Sequence, residues 1–125
     1  MIRGIHHISM KCEKADDLER VKLFYCELLG LKVKREWPAG IMLDTGSGLL
    51  EIFKIGGNGG VVGTIRHVAL ASDDVDRDIA RVRDAGFEVF KEPNDLVIPS
   101  DPPFPVRMAF CFGPLGEQVE LFQER

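Results

Sequence analysis

Hydrophobic and polar residues follow the same order twice along this chain. In each copy an alternating run begins near a histidine, a helical pattern ends at a glycine, and further strand-like runs follow. The alternating runs are residues 5–12 and 65–72, and the glycines are Gly30 and Gly86. Alternation with a period of two predicts a strand, whereas apolar residues every three or four positions predict a helix. The repetition therefore predicts two structural modules of the same order.

The two helical patterns have recognisable ends. In the first, Asp16 and Glu19 have the spacing of a capping box, and Gly30 can supply the left-handed residue that ends many helices. In the second, Ser72 or Asp73 can cap the helix. The apolar stripes are Leu18, Val21, Phe24, Tyr25, Leu28 and Leu29 in the first helix, and Val75, Ile79 and Val82 in the second. We expect each stripe to be buried.

Strand-like runs separated by turn residues follow each helix. They are residues 31–36, 40–44 and 49–54 in the first copy, and 87–89, 106–112 and 117–123 in the second. Residues 93–105 contain five prolines, which exclude a central strand because proline has no backbone N–H to donate. We therefore expect a long loop there, and its residues 100–105 are a candidate lid over a pocket.

A glycine-rich stretch, residues 56–63, is typical of a flexible linker and falls between the two copies. It separates modules of about residues 1–55 and 65–125. Because 125 residues suit one compact domain, we predict a single domain built from both modules. Each module has the order β-α-β-β-β, so the predicted fold class is α+β, with one helix on one face of each small sheet.

The amino-acid composition argues against a nucleic-acid-binding, secreted or membrane protein. The chain has 16 basic and 20 acidic residues, and the basic ones are dispersed, so nucleic acid is not an expected partner. Cys12, Cys26 and Cys111 are far apart, which favours reduced thiols in a cytoplasm. No run approaches the ~18 apolar residues of a membrane span, and no signal peptide is expected. The sequence thus predicts a cytoplasmic protein with no membrane partner.

Two histidines and two glutamates occupy matching positions in the two copies. His7 and His67 lie in the first strand of each copy, and Glu51 and Glu120 lie in the last. Strand alternation places all four on the face opposite the aliphatic residues that the helices should cover. A glutamate among aliphatic neighbours is costly to bury unless it is paired or binds a metal. We therefore predict a two-histidine, two-glutamate metal site with pseudo-twofold symmetry.

The chain resembles the vicinal oxygen chelate superfamily, and within it most closely the short glyoxalase I (lactoylglutathione lyase) branch. The resemblance covers essentially the whole length and rests on five segments: residues 7–10 (His-Ile-Ser-Met), 23–31 (Leu-Phe-Tyr-Cys-Glu-Leu-Leu-Gly-Leu), 50–53 (Leu-Glu-Ile-Phe), 66–70 (Arg-His-Val-Ala-Leu) and 113–121 (Gly-Pro-Leu-Gly-Glu-Gln-Val-Glu-Leu). It implies two βαβββ modules that form a cupped half-barrel, and a homodimer. It also implies one divalent metal ion per site, held by His7, Glu51, His67 and Glu120.

Such a donor set suits nickel, zinc, cobalt, manganese or iron, and an octahedral ion would keep two positions for water or a chelating substrate. The resemblance implies a lyase or isomerase that acts through a metal-stabilised enediolate on a small vicinal-oxygen substrate, such as a hemithioacetal of methylglyoxal with a thiol. Glu120 and Glu51 are the acid/base candidates. The alternatives are a metal-dependent epimerase of the methylmalonyl-CoA type and a protein that binds and sequesters a small molecule.

The residues around the predicted metal site favour a substrate other than a glutathione adduct. Glutathione-using relatives typically place asparagine shortly after the first glutamate, whereas this chain has Phe53, Lys54 and Ile55 there. Lys11, Arg66 and Arg107 are candidates for holding an anionic group. Phe53, Met108, Phe110 and Phe122 are candidates for lining an apolar pocket.

Overall fold

The computed structural model describes residues 7–54, 67–100 and 102–125. The chain divides into two compact units, Met1–Val62 and Gly63–Arg125. The predicted linker, residues 56–63, lies outside the described residues, so the predicted module boundaries stay predictions. Within the described ranges no helix is long and apolar enough to cross a membrane.

The first unit consists of one helical segment and four strands. The strands are β1 (His7–Lys11), β2 (Lys32–Trp37), β3 (Gly40–Asp44) and β4 (Leu49–Phe53). They form one sheet in the order β1-β4-β3-β2, in which β1 and β4 are parallel and the other pairs are antiparallel. The helical segment begins as helix α1 (Asp17–Val21) and continues as a π-helical segment (Lys22–Leu28).

The second unit has the same order and the same topology. Its elements are β5 (Val68–Ala71), helix α2 (Val75–Asp84), β6 (Val89–Ile98), β7 (Phe104–Phe112) and β8 (Gln118–Glu124). The sheet order is β5-β8-β7-β6, again with a parallel pair, β5 and β8. The predicted α+β fold of two βαβββ modules is therefore confirmed.

The predicted apolar stripes supply six of the buried side chains. In the second unit all three helix positions, Val75, Ile79 and Val82, are buried, and in the first unit Val21, Phe24 and Tyr25 are buried. Leu18, Leu28 and Leu29, at the ends of the first stripe, are only half-buried. The strand residues buried with them are Ile41, Leu43, Leu50 and Ile52 in the first unit and Ala109, Cys111, Val119 and Leu121 in the second. Each unit thus has its own apolar core.

The first helical segment is wider than the regular α-helix that its periodicity predicts. The N–H of Leu29 donates to the carbonyl of Phe24 at 3.1 Å, which is the i to i−5 bond of a π-helix. In this segment the adjacent residues Phe24 and Tyr25 are both fully buried, with ring centroids 4.9 Å apart and nearly perpendicular. The predicted end is confirmed, because Gly30 adopts a left-handed φ of 79°.

The predicted capping box at the start of this helix is wrong. Asp16 has helical backbone angles, and its side chain makes no capping hydrogen bond with Glu19 or its neighbours. Asp17 has the structural role instead: its Oδ2 accepts the backbone N–H groups of Glu13 and Lys14, each at 2.8 Å. The backbone just before the helix turns toward this buried carboxylate, which is a local arrangement that differs from the predicted capping box.

The N-cap of α2 also differs from the prediction. It is Asp74, whose side chain accepts the N–H of Arg77 at 3.0 Å, and not Ser72 or Asp73. The Ser72 hydroxyl accepts the N–H of Asp74 and donates to the carboxylate of Asp78. Ser72 therefore holds the turn that places Asp74 at the cap position.

The expected proline-rich loop at residues 93–105 is largely strand, which corrects the sequence prediction. Pro93 lies inside β6 and Pro105 inside β7, so only residues 99–103 connect the two strands. β6 is the edge strand, and its pairing with β7 slips between Lys91 and Asn94, so the missing N–H of Pro93 falls at an irregularity. The predicted lid is a hairpin connection, although residue 101 lies outside the described residues.

Substitution of Gly86 tests whether the end of α2 requires a residue with a left-handed backbone conformation. Its φ is 91°, and bonds from its N–H to Arg83 and from the N–H of Phe87 to Val82 close the helix. An added Cβ would have no heavy atom within 4 Å, so the cost of Gly86→Ala is purely conformational. We expect a loss of about 1–2 kcal/mol in the free energy of unfolding, measured with urea. Gly86→Asn should lose less, and an alanine variant as stable as wild type would contradict this reading.

Asp17 makes the first unit sensitive to acid. The backbone N–H of Lys14, and then that of Glu13, lower the pKa of this carboxyl against the opposing effect of burial. Its stabilising effect is therefore complete above the unfolded pKa of about 3.9 and is lost as the pH falls through the lower folded pKa.

We expect Asp17→Asn to lower the free energy of unfolding at pH 7 and to lose less stability than wild type on acidification below about pH 4. Denaturant unfolding at several pH values measures both effects. Asp16→Asn is the matched control, since the Asp16 side chain caps nothing. If the two variants had the same free energy of unfolding at each pH, the hydrogen bonds from the backbone to Asp17 would contribute nothing to stability.

Candidate metal centre

The parallel pairing of β1 with β4 brings His7 and Glu51 together in the first unit. His7 opens β1, and Glu51 in the middle of β4 lies opposite Ser9 in the strand register. Nε2 of His7 is 3.7 Å from Oε1 of Glu51, and the Ser9 hydroxyl donates to the same oxygen at 3.0 Å. The Glu51 side chain is 13% exposed, and its chain neighbours Leu50 and Ile52 are buried on the other face. Glu51 therefore presents its carboxylate on the open face of the sheet.

The second unit repeats this arrangement with closer contacts. Nε2 of His67 is 3.1 Å from Oε2 of Glu120, whose side chain is 7% exposed. Glu120 lies between Ala69 on β5 and Phe110 on β7 in the sheet register. Its own neighbours, Val119 and Leu121, are buried on the helix face.

Burial raises the pKa of the Glu120 carboxyl, and the nearby charges of His67 and Lys91 only partly oppose this effect. The ionised form is thus destabilised by desolvation at this position. A carboxylate in such surroundings gains from a cation placed next to it.

The histidine and glutamate of the second unit have the spacing of two ligands on one divalent metal. Ligands that bind one zinc ion at about 2.1 Å are separated from each other by about 3.0–3.4 Å, and Nε2 of His67 is 3.1 Å from Oε2 of Glu120. The pair in the first unit is wider, with 3.7 Å between His7 and Glu51. Within residues 7–54, 67–100 and 102–125, no group of three or more histidine, cysteine, aspartate or glutamate side chains is placed to hold an ion. Each unit has one histidine nitrogen beside one carboxylate, His7 with Glu51 and His67 with Glu120, and we call each pair a half-site. The site with four donors stays a prediction.

The predicted apolar lining of the second unit lies on the face of Glu120. Phe110 is opposite Glu120, and Met108 is opposite Phe122, in the pairing of β7 with β8. The Phe110 ring meets the His67 ring edge to face, with centroids 5.3 Å apart. The face around this half-site is therefore aromatic and apolar.

Arg107 is a correction to the predicted substrate-binding set. It lies between Val106 and Met108 in a regular strand, so its side chain points to the opposite face, toward α2. Its guanidinium donates to both carboxylate oxygens of Asp76, at 2.5 and 2.7 Å, and lies 3.2 Å from Asp95. These carboxylates, Asp76 first, raise the pKa of Arg107. Its charge holds β7 to α2 and β6, on the face opposite Glu120.

In the first unit, Lys11 and Phe53 lie on the open face with Glu51. They are paired across β1 and β4, two positions beyond Ser9 and Glu51. Phe53 meets Trp37 edge to face, at 6.3 Å between ring centroids. Arg66, the remaining predicted contact, lies outside the described residues.

Sequence reasoning missed three residues beside the half-sites. Trp37 lies over Gly40, where any larger side chain would collide with the indole ring. Phe90 is 41% exposed, with ring centroids 4.5 Å from Phe112 and 5.5 Å from Phe110. Lys91 places Nζ 5.8 Å from the centre of the Phe110 ring. Phe90 and Lys91 were overlooked because the expected strand stopped at residue 89, whereas β6 continues to Ile98.

Comparison of the fold with solved structures gives matches over nearly the whole chain. A lactoylglutathione lyase from Agrobacterium tumefaciens is 20% identical, with a TM-score of 0.67 over 98% of this chain and 95% of that one. A glyoxalase/bleomycin resistance protein/dioxygenase from Alicyclobacillus acidocaldarius is 17% identical, with a TM-score of 0.67 over 98% and 92%. A protein of the same description from Nocardioides is 19% identical, with a TM-score of 0.63 over 99% and 85%. At these identities the likeness establishes the fold.

Comparison of the sequence leads to the same group of proteins. No curated protein sequence matches the chain. A family model matches residues 4–121, which is nearly the whole length. The chain therefore belongs to the Glyoxalase/Bleomycin resistance protein/Dioxygenase superfamily.

Proposed function

We propose that this chain is a metal-dependent lyase or isomerase of the glyoxalase I type, acting on a small substrate with adjacent oxygen atoms. The observation that carries the proposal is the same pair in each unit, an imidazole nitrogen beside a glutamate oxygen on the open face of a sheet. A superfamily member with a similar fold is a lactoylglutathione lyase, so the fold is compatible with this activity.

The residues that would hold the metal are His7, Glu51, His67 and Glu120. A divalent ion bound there would act as a Lewis acid on the adjacent oxygens of the substrate. Both half-sites are needed, since each has only two donors. They would meet within one chain or across a homodimer, and we propose a cytoplasmic homodimer.

The glutamates are the groups that can move a proton. In the proposed reaction, a glutamate oxygen takes the proton from the carbon that bears the hydroxyl, next to the carbonyl, and returns it to the carbonyl carbon. The hydroxyl proton moves to the former carbonyl oxygen, so that the carbonyl and the hydroxyl exchange places. A carboxylate on an aromatic, partly water-excluded face is suited to this step. Nε2 of His67 lies 3.1 Å from Glu120, and Nε2 of His7 lies 3.7 Å from Glu51.

The shape of the second half-site favours a substrate with an apolar substituent. Met108, Phe110 and Phe122 share the face of Glu120, and Phe90 extends it along β6. In the first unit, Phe53 and Lys54 occupy the region where glutathione-using relatives have asparagine. We therefore propose a hemithioacetal of methylglyoxal, or of a bulkier 2-oxoaldehyde, with a thiol other than glutathione.

Two other functions use the same residues. A metal-dependent epimerase of the methylmalonyl-CoA type would remove and return a proton at one carbon, which two carboxylates on one site also permit. A sequestering protein would use the apolar face around Phe110 and Phe90 for binding alone. Turnover separates them, because a sequestering protein releases its ligand unchanged.

Metal stoichiometry tests the proposed centre. Protein prepared without a histidine tag and stripped of metal should bind Ni²⁺ or Co²⁺ at one ion for each pair of units, measured by calorimetry. Glu51→Gln and Glu120→Gln should each weaken binding by at least about tenfold. Glu124→Gln, at the exposed end of the same strand β8, should bind as wild type does. Binding in both glutamine variants as tight as in wild type would overturn the proposed centre, as would a wild type that binds none of these ions.

Phe110 tests the substrate class. Phe110→Leu keeps an apolar side chain but removes the ring beside His67, so KM for the phenylglyoxal hemithioacetal should rise about three- to tenfold more than KM for the methylglyoxal one. Steady-state kinetics with one thiol and both aldehydes measures this ratio. Phe87→Leu, just after the end of α2, is the control and should leave the ratio unchanged. An equal change for both substrates would rule out contact between the ring and the substituent.

A further inference from the structure

A β-bulge turns an arginine of the first unit to the open face of its sheet. Val33 of β2 lies opposite Leu43, which is buried on the helix face. Arg35 lies opposite Met42, so β2 has one extra residue at this point. Met42 in turn lies opposite Glu51 on the open face. Without the extra residue, alternation would turn Arg35 to the helix face with Val33. The bulge turns it to the open face instead.

The second unit has a bulge at the equivalent place, where its effect on the side chains is visible. The pairing of β6 with β7 gains one residue between Val89 and Lys91. The extra residue is Phe90, whose ring centroid lies 5.5 Å from that of Phe110, and Nζ of Lys91 lies 5.8 Å from the centre of the same ring. Both side chains therefore lie on the open face. The same bulge in β2 gives Arg35 the position that Lys91 has in β6.

Arg35 has no carboxylate partner in the part of the chain that the structure describes. Among the arginines of residues 7–54, 67–100 and 102–125, it is the one whose guanidinium has no hydrogen bond or ion pair within those ranges. Two carboxylates of the same pair of strands, Asp44 and Glu36, lie beside lysines instead. The distances are 3.9 Å to Lys34 and 3.0 Å to Lys54. The planar fork of Arg35 thus remains available for a carboxylate from outside.

Aromatic and apolar side chains share the face of Arg35. Trp37 lies two residues further along β2 on the same face, and its indole ring covers Gly40, where an added Cβ would collide with it. The ring of Phe53 meets the indole edge to face, with 6.3 Å between centroids, and Met42 is 9% exposed. A ligand on this face can therefore place an apolar body against Trp37 and a negative charge at Arg35.

We infer that Arg35 is a specificity-determining residue that binds a carboxylate, so the substrate of the proposed reaction is an anion with an apolar body. The inference rests on the proposed function and deepens it by naming the charge of the substrate. Arg35 lies two strands from Glu51, which is roughly 10 Å between Cα atoms. The carboxylate therefore belongs to a part of the substrate that is remote from the reacting carbon, and either the thiol or the aldehyde can supply it.

The fluorescence of Trp37 tests the inference without turnover, because this residue is the single tryptophan of the chain and lies two residues from Arg35. The probes are 3-(benzylthio)propanoate and its uncharged amide, two thioethers that cannot react. Wild type should bind the acid at least about tenfold more tightly than the amide. Arg35→Gln should bind both probes equally. Arg35→Lys should keep part of the preference, because an ammonium group cannot form the paired hydrogen bonds.

The matched control is Arg83→Gln, which removes one guanidinium from the exposed surface of α2 in the second unit and should keep the preference of wild type. A loss there as large as in Arg35→Gln would reduce the effect to net charge and overturn the inference. Equal binding of acid and amide by wild type, or binding of neither, would also overturn it. If the preference disappears in Lys11→Gln and stays in Arg35→Gln, Lys11 is the anion contact and the inference fails.

Steady-state kinetics identifies the source of the carboxylate. The hemithioacetal of methylglyoxal with 3-mercaptopropanoate carries it on the thiol, whereas that of 4-carboxyphenylglyoxal with 2-mercaptoethanol carries it on the aldehyde. Arg35→Gln should raise KM about tenfold for one of them and leave KM for the uncharged adduct of phenylglyoxal with 2-mercaptoethanol unchanged. No change, or an equal change for all three, contradicts the inference. A wild type that turns over none of them counts against the proposed function alone, since the fluorescence titration still decides whether Arg35 binds a carboxylate.

Discussion

The parallel pairing of the first and last strands is the constraint on which each half-site depends. Parallel neighbours cannot be joined by a tight hairpin, so the chain must cross over before the last strand takes its place. In each unit a helix and two strands provide that connection. The pairing of β1 with β4 and of β5 with β8 thereby sets a histidine beside a glutamate that is far away in the sequence. Without this parallel pairing, His7 would not lie next to Glu51, and His67 would not lie next to Glu120.

Burial of the opposite face fixes the direction of these side chains. Leu50 and Ile52 are at most 1% exposed, and Val119 and Leu121 at most 2%, so neither β4 nor β8 can slip by one residue without moving aliphatic side chains into water. The same alternation that buries the aliphatic residues turns Glu51 and Glu120 to the open face. The apolar core therefore contributes to the candidate site, because it fixes the strand register that places both carboxylates on the open face. Its own side chains lie on the opposite face.

The sequence predicted what local periodicity determines. The repeated order, the helix stripes and the faces of the four candidate ligands follow from spacings of two and of three to four residues, and the structure has the predicted order of helix and strands in each unit. Two features were missed for different reasons. The backbone bonds to Asp17 are local but do not have the capping-box spacing, whereas the edge position that lets β6 contain Pro93 is set by the pairing of distant strands. Arg107 is different, because alternation alone already excludes it from the face of Met108 and Phe110.

A repeated module creates two pairs of the same kind, and the residues around them make the pairs different. Ser9 donates a hydrogen bond to Glu51, whereas Ala69, which has no donor in its side chain, occupies the equivalent position beside Glu120. The fold of this superfamily supports many activities, so such differences between the copies, and not the shared topology, are where a particular chemistry is decided.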